Sequence, residues 1–475
     1  MARFRARSGC SGVSADGSAI TEESAVLDSD PMRSRGGTRF RLFPQPPFLK
    51  HYRTPVVVRL SPRAGSVGPG PSDARMHVVE PVGKQWPYGI APGPFGTPFV
   101  YLPAWDGPIQ PPALPDARGD FDHIAIGTPE FDAAHVYGCV RWTLDVWERY
   151  FGRQLPWHFA QDYAALEISL YPDLDNSHAG YGFLEIGADL SEGKPQSFGI
   201  NFDVVAHETG HLMIYSLLGV PEIDATMGEY QGFHESAADL VAMIAAAHFD
   251  PVLDELFANT RGNLYALNEL NRFAELSEQT QIRLASNIVK LSAFRDGWSD
   301  EHKLALPLTG AIFDILCDIY HRLLIERGLI GRELVRLVDQ EHRLGENEAL
   351  IQEGFDEAYV RGPSGFRESL RDAREWLGRY LAETWQRLTT DGFSYLMVAA
   401  TMLDVDEALG GGRFREAIAS SFRWREFGEV AIGPRLPKPA AAGSHQHSAR
   451  TVVPGHACGL PRMTYRERWA LARGR

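Results

Sequence analysis

Residues 203–218 constrain the fold more than any other part of the chain, because this apolar segment carries an H-E-x-x-H motif at 207–211. The segment predicts a buried helix, with Asp203 capping its start. Side chains four positions apart on a helix share a face, with Cβ atoms about 5–6 Å apart, so His207 and His211 can converge on one metal ion. Glu208 leaves the helix at a different angle and can reach a water at that ion. The motif therefore predicts a metal-binding helix around which the chain is organised.

The motif leaves one ligand to be found, because a catalytic zinc ion takes three protein ligands and keeps one position open. In the metzincin form of the motif, Gly would stand at 214 and His at 217. Ile214 and Leu217 occupy these positions, which excludes that form.

A second apolar segment, at 232–248, is almost entirely helix-forming and predicts another buried helix. Glu235 lies at its start, where a buried carboxylate is costly unless it binds a metal or forms a hydrogen bond. Asp239 lies four residues later on the same face and can accept the free ring N–H of a metal-bound histidine. His234 is the alternative third ligand. Neighbours on a helix point about 100° apart, so only one of the two can face the ion.

These two segments together resemble a known family. His207-Glu-Thr-Gly-His211 followed by His234-Glu-Ser-Ala-Ala-Asp239 is similar to the gluzincin pattern, and most to the thermolysin family, whose second motif is Asn-Glu-x-x-x-Asp. His234 replaces the Asn, and the two motifs are a few residues further apart than in the family. The resemblance covers about residues 120–345.

The resemblance implies one catalytic zinc ion held by His207, His211 and Glu235. Glu208 would be the general base, taking a proton from the attacking water and passing it to the leaving amine. Asp239 would orient His207. The expected activity is that of a zinc metallopeptidase acting on peptide or protein substrates.

Two further roles are implied for groups that stabilise the oxyanion. His302 is the candidate for the family's histidine from the helical half, although Ser299-Asp-Glu301 stands in place of the usual glycine-rich lead. Tyr230 is similar to the family's second oxyanion donor, but lies closer to Glu235 than expected. Residues 181–187 resemble the edge strand on which a peptide substrate is laid.

The predicted fold class is α+β: a thermolysin-like (gluzincin) catalytic domain with a small mixed sheet and a central H-E-x-x-H helix, followed by a mostly helical domain. We predict a disordered tail at 1–72, an α/β half at 73–218, a helical half with the third zinc ligand at 219–432, and a low-complexity tail at 433–475. Apolar periodicity further predicts a helix at 130–151, a half-buried strand at 166–171, and helices at 307–327, 331–344, 366–390, 393–403 and 413–422.

Charge and composition exclude several functions. A formal net charge of −14 argues against a nucleic-acid partner, and no run of 18 apolar residues suggests a membrane span. The four cysteines lie far apart, which argues against a disulfide scaffold. Without a recognisable signal peptide the expected location is cytoplasmic, with secretion by an unrecognised route left open. The sequence does not indicate an oligomeric state.

Other interpretations remain open at this point. His207 and His211 could be ordinary core histidines, in a metal-free helical scaffold. The chain could also be a zinc-binding or peptide-binding module descended from a peptidase that no longer turns over substrate. Residues 173–176 could bind Ca²⁺, but they lack the Gly and terminal Glu of a calcium loop, so an ordinary turn is the better interpretation.

Overall fold

Long helices bury most of the apolar residues, and short strands form small sheets beside them. The computed structural model describes residues 36–92, 98–190, 196–219, 227–273, 283–344 and 347–436. Residues 1–35 of the tail predicted at 1–72, and residues 437–475 of the tail predicted at 433–475, lie outside the described residues.

Within these ranges the helices are α1 (Pro129–Phe151), α2 (Phe202–Leu218), α3 (Met227–Ala246), α4 (Asp250–Thr260), α5 (Glu301–Glu326), α6 (Arg332–Leu344), α7 (Glu348–Arg361), α8 (Pro363–Arg387), α9 (Tyr395–Gly410) and α10 (Arg415–Trp424). The strands are β1 (Gly37–Leu42), β2 (Val56–Arg63), β3 (Met76–Val79), β4 (Gly89–Pro92), β5 (Pro98–Tyr101), β6 (Leu166–Leu170), β7 (Ser177–Ala179), β8 (Phe183–Ile186), β9 (Ala188–Asp189), β10 (Gln196–Ser197), β11 (Arg272–Phe273) and β12 (Arg283–Leu284).

Local signals set the bounds of α1. The Thr128 side chain accepts a hydrogen bond from the Phe131 amide, Pro129 occupies the first helical position, and Gly152 ends the helix at a φ of 66°. Pro at the first position and a Gly in the left-handed conformation after the last are the expected start and stop signals of a helix. The helix predicted at 130–151 is confirmed.

The four-stranded sheet has the order β3-β6-β8-β7, with β3, β6 and β8 parallel and β7 antiparallel. The edge strand beside β8 is therefore β7, and the interpretation of 181–187 as the edge strand is wrong. All five residues of β6 are buried, whereas the alternating pattern predicted one solvated face.

A buried polar network explains this difference. Glu167 on β6 accepts a hydrogen bond from the Tyr88 hydroxyl at 2.6 Å, and Glu185 on β8 lies 2.6 Å from the Lys84 ammonium. The segment that carries Lys84 and Tyr88 covers this face of the sheet. The Lys84 charge compensates Glu185 and the Tyr88 hydroxyl donates to Glu167, so polar positions that look solvated in the sequence are enclosed.

Residues 37–63 differ from the predicted disordered tail. Strands β1 and β2 pair antiparallel. Phe40, Leu42 and Leu60 are fully buried in the main hydrophobic cluster, which extends from Phe40 to Phe427. The two halves divided at residue 218 contribute to this same cluster. The apolar positions of 37–63 become a core element only through partners that are distant in sequence.

Among the described helices, α5 is the one long and apolar enough to cross a membrane, with a mean hydropathy of 1.3 over its most apolar window. That window is 89% buried within the protein. The helix packs against α3, α8 and α10, so it is a core helix of this fold.

Helices α2 and α3 approach each other closely at Gly210, inside the H-E-x-x-H motif. A Cβ atom added there would lie 2.8 Å from the Ala238 Cα and 3.2 Å from the Val241 Cβ. Backbone in contact cannot move aside as a flexible side chain can. Gly210 therefore permits the helix spacing on which the site depends.

We predict that Gly210→Ala destabilises the protein by about 1–3 kcal/mol through overpacking, even though Ala is the better helix former. Thermal unfolding checks this. Gly354→Ala on α7 is the control, because its added Cβ meets only the flexible end of Leu334. A Gly210→Ala protein as stable as the wild type would contradict the packing argument.

Candidate metal centre

Helix α2 starts one residue earlier than its predicted cap. The Asn201 side chain accepts a hydrogen bond from the Asp203 amide at 3.1 Å, so Asn201 is the N-cap. The prediction that Asp203 caps the helix is wrong. Its carboxylate lies in the first turn and accepts hydrogen bonds from the Gln45 side chain at 3.2 and 3.3 Å.

Three side chains from α2 and α3 converge between the helices. The Glu235 Oε2 atom lies 3.4 Å from the His207 Nε2 atom and 3.8 Å from the His211 Nε2 atom. All three residues are at most 5% exposed. Ligands bound tetrahedrally to zinc at about 2.0–2.1 Å are about 3.3 Å apart, so the spacing and the donor types fit a zinc ion.

Glu208 lies next to this group and is 4% exposed. One potential ligand atom each from His207, Glu208 and His211 lies within 4.8 Å of the others. The carboxylate is thus close enough to act on a molecule held at the centre.

The ring orientation of His207 is set from α3. Its Nδ1 atom lies 2.8 Å from the Asp239 Oδ1 atom. A carboxylate at this position accepts the Nδ1–H and leaves Nε2 free to bind a metal, which is how carboxylates orient metal-binding histidines. The helical spacing of Asp239 predicted a contact with a metal-bound histidine, and the family resemblance implied that this histidine is His207.

His211 is oriented by a histidine that the sequence analysis considered only as an alternative ligand. The two Nδ1 atoms of His211 and His234 lie 2.7 Å apart, and the rings stack with centroids 4.7 Å apart. Burial lowers the pKa of His234 to about 4. His234 is therefore neutral at pH 7 and can accept the Nδ1–H of His211. In the sequence, the signal for this contact was that His234 replaces the family's Asn.

His302 reaches the same centre from α5. The Asp300 side chain caps that helix by accepting a hydrogen bond from the His302 amide at 3.0 Å. Helix α5 therefore begins at Glu301, six residues before its predicted start at 307. The His302 Nδ1 atom lies 2.8 Å from the Glu235 Oε2 atom, and its side chain is 28% exposed. Asp300, before His302, acts as the helix cap, where the resemblance led us to expect a glycine-rich segment.

Tyr230 lies on the first turns of α3. Its hydroxyl donates a hydrogen bond to the Gly219 carbonyl at 2.7 Å, and its ring centroid lies 5.7 Å from that of His234. These contacts tie α3 to the end of α2. Its role as an oxyanion donor remains a prediction.

Sequence reasoning did not identify a row of aromatic rings that continues outward from His234. The Tyr215 ring centroid lies 4.3 Å from that of His234 and 5.3 Å from that of His158. Burial, and then the nearby His234, lower the pKa of His158 to about 3. No sequence motif marks His158, because it comes from a loop distant in sequence.

Calcium binding at 173–176 gains no support in the described part of the chain. There, the groups with three closely spaced ligand atoms are the H-E-x-x-H group and Asp116, Asp120 and Asp122. The latter acids are compensated by Arg39, whose Nε atom lies 2.9 Å from the Asp120 carboxylate.

Comparisons with protein-family models and with curated proteins found no match to this chain. Among solved structures, the chain is similar to the precursor of protealysin, a metalloproteinase from Serratia proteamaculans. The two share 12% sequence identity and a TM-score of 0.40, over 69% of this chain and 84% of that chain. This likeness is weak, so the contacts around His207, His211 and Glu235 are what bear on function.

We predict that Asp239→Ala lowers zinc affinity about 10- to 100-fold, since His207 loses the group that fixes its tautomer. Competition with a chromophoric chelator measures this. Asp391→Ala, at an exposed acid between α8 and α9, is the matched control. Equal zinc affinity in the Asp239→Ala and Asp391→Ala proteins would contradict an orienting role for Asp239.

Proposed function

We propose that this protein is a zinc-dependent peptidase of the gluzincin type. The observation that carries the proposal is the position of the Glu235 Oε2 atom, 3.4 and 3.8 Å from the Nε2 atoms of His207 and His211, with Glu208 beside them. Two imidazoles and one carboxylate are the ligand set of thermolysin-type catalytic zinc sites.

His207, His211 and Glu235 would hold the ion, and zinc bound there would polarise a peptide carbonyl and lower the pKa of water. Asp239 and His234 keep the two imidazoles in the tautomer with Nε2 free. These contacts supply the rigidity that a metal site requires, because each ligand ring is held on its far side.

Glu208 would act as the general base. Its carboxylate would take the proton of the attacking water and deliver it to the nitrogen of the leaving amine. Buried next to the histidine pair, it is held close to the reacting atoms, which is the main requirement for proton transfer. His302, half-exposed on the far side of Glu235, would donate a hydrogen bond to the developing oxyanion.

The substrate would be an extended peptide. Strand β7 is one of the two edge strands of the four-stranded sheet and packs against α2. An edge strand can pair with a peptide through main-chain hydrogen bonds, which binds many sequences with little side-chain preference. A peptide on β7 would run beside the helix that carries Glu208.

We predict that Glu208→Gln lowers hydrolysis of unfolded casein by at least about 100-fold without loss of zinc, because Gln cannot transfer the proton. Turnover and zinc content are measured on the same sample, with Glu383→Gln at the surface of α8 as control. If zinc-loaded wild type is as inert as Glu208→Gln from pH 5 to 9, the peptidase proposal fails.

A second candidate function follows from His302. Its Nδ1 atom lies 2.8 Å from the same Glu235 oxygen that faces both histidines, so His302 could serve as a fourth zinc ligand. Four protein ligands leave no open position, which is characteristic of structural zinc sites. The protein would then be a zinc-binding or peptide-binding module without turnover.

His302→Ala separates the two candidates. For a peptidase, we expect turnover to fall about 100-fold with zinc affinity little changed, as for the loss of an oxyanion donor. For a structural site with four protein ligands, we expect His302→Ala to lower zinc affinity and the wild type to have no peptidase activity. The absorption spectrum of the cobalt-substituted protein provides an independent readout, because it responds to the loss of a ligand. Unchanged kinetics and unchanged spectrum would remove His302 from the site.

A further inference from the structure

A cavity of about 530 Å³ lies at the carboxyl ends of the parallel strands. Glu80 follows β3, Tyr171 follows β6 and Gly187 follows β8, and all three line it. The start of α1 closes another side through Thr128 and Asp132. Crevices at the carboxyl ends of parallel strands are common ligand sites, and this volume suits a small organic molecule. None of the metal-centre residues line the cavity.

Most of the wall is apolar. The side chains that could contact the body of a ligand are Phe43, Ile126, Phe131, Ile186 and Ile200. They come from four separate parts of the chain, so the cavity is formed by the tertiary fold and not by one loop. A ligand that fills it would bury apolar surface.

Two carboxylates give the cavity its charge. Glu80 and Asp132 are half-buried, and neither forms an ion pair or side-chain hydrogen bond with another described residue. Burial, and then the charge of Glu80, raise the pKa of Asp132 to about 6. Burial, and then Glu130, raise the pKa of Glu80. Arg53, the basic residue of the lining, is exposed and pairs with neither acid. The negative potential in the cavity is therefore uncompensated within the described chain.

Tyr171 also lines the cavity, and its hydroxyl forms no hydrogen bond with another described residue. The hydroxyl is therefore available to a polar atom of a bound ligand.

We propose that this cavity binds an organic ammonium ion, with the charged amine near Glu80 and Asp132 and the apolar body against Phe43 and Phe131. A bare Ca²⁺ ion fits the lining less well, because it needs about six to eight oxygen ligands and most of this wall is apolar. The site is independent of the proposed peptidase activity.

The test compares 2-phenylethylamine, which is an ammonium ion at pH 7.5, with the neutral 2-phenylethanol of nearly the same shape. Calorimetric titration of the full chain measures both. We expect the amine to bind at least about tenfold more tightly than the alcohol, because only the amine gains a charged hydrogen bond. Absence of amine binding, or equal affinity for both molecules, would overturn the proposal.

Variants assign the binding to the cavity. Asp132→Asn and Glu80→Gln should each weaken amine binding at least about tenfold. Glu383→Gln at the surface of α8 is the control, because it removes the same charge from a residue that does not line the cavity. If circular dichroism shows one of the two variants to be misfolded, the other alone tests the proposal.

Wild-type affinity in the folded variants, or displacement of the amine by stoichiometric Ca²⁺, would overturn the proposal. Repeating the titration in Glu208→Gln keeps the result separate from peptidase activity.

Discussion

The close packing of α2 against α3 is the constraint on which the candidate centre depends. With Gly210 facing Ala238, the helices are near enough for His207 to reach Asp239 and for His211 to reach His234. Buried polar side chains are costly unless they are paired. Here each partner comes from the facing helix, so a wider spacing would break both pairs at once. The geometry of the site and the stability of the helix pair therefore have the same origin.

Helix α5 completes this arrangement from a third direction. The Thr309 hydroxyl donates to the Ser236 hydroxyl at 2.9 Å, and His302 reaches Glu235 one turn of α3 away from the Asp239 contact. Small and hydroxyl-bearing residues let α5 approach α3 without a steric clash. Glu235 is consequently contacted from both sides, by the histidines of α2 and by His302, and the role of His302 decides whether the centre is open or closed.

The sequence predicted what is encoded locally. The bounds of α1 follow from Thr128, Pro129 and Gly152, which act within one or two turns. The position of Asp239 on the same face of α3 as Glu235 follows from the periodicity of one helix. Sequence reasoning failed where distant segments meet. Lys84 and Tyr88 enclose the polar face of β6 and β8. Strand β1 joins the core although Arg39 and Arg41 alternate with its apolar residues. No pattern in the sequence of a strand indicates which distant segment will cover it.

Carboxylates illustrate why the chemistry of a site cannot be taken from residue type and burial alone. Glu185 and Glu167 are enclosed by Lys84, His178 and Tyr88, whose hydrogen bonds and charge stabilise them as part of the sheet. The Glu235 Oε2 atom lies 3.4, 3.8 and 2.8 Å from nitrogen atoms of His207, His211 and His302, which is where we propose that it binds zinc. Glu80 and Asp132 face an open volume without a described partner. We therefore propose a structural, a metal-binding or a ligand-binding role for the same functional group according to what lies opposite it, and only tertiary contacts supply that information.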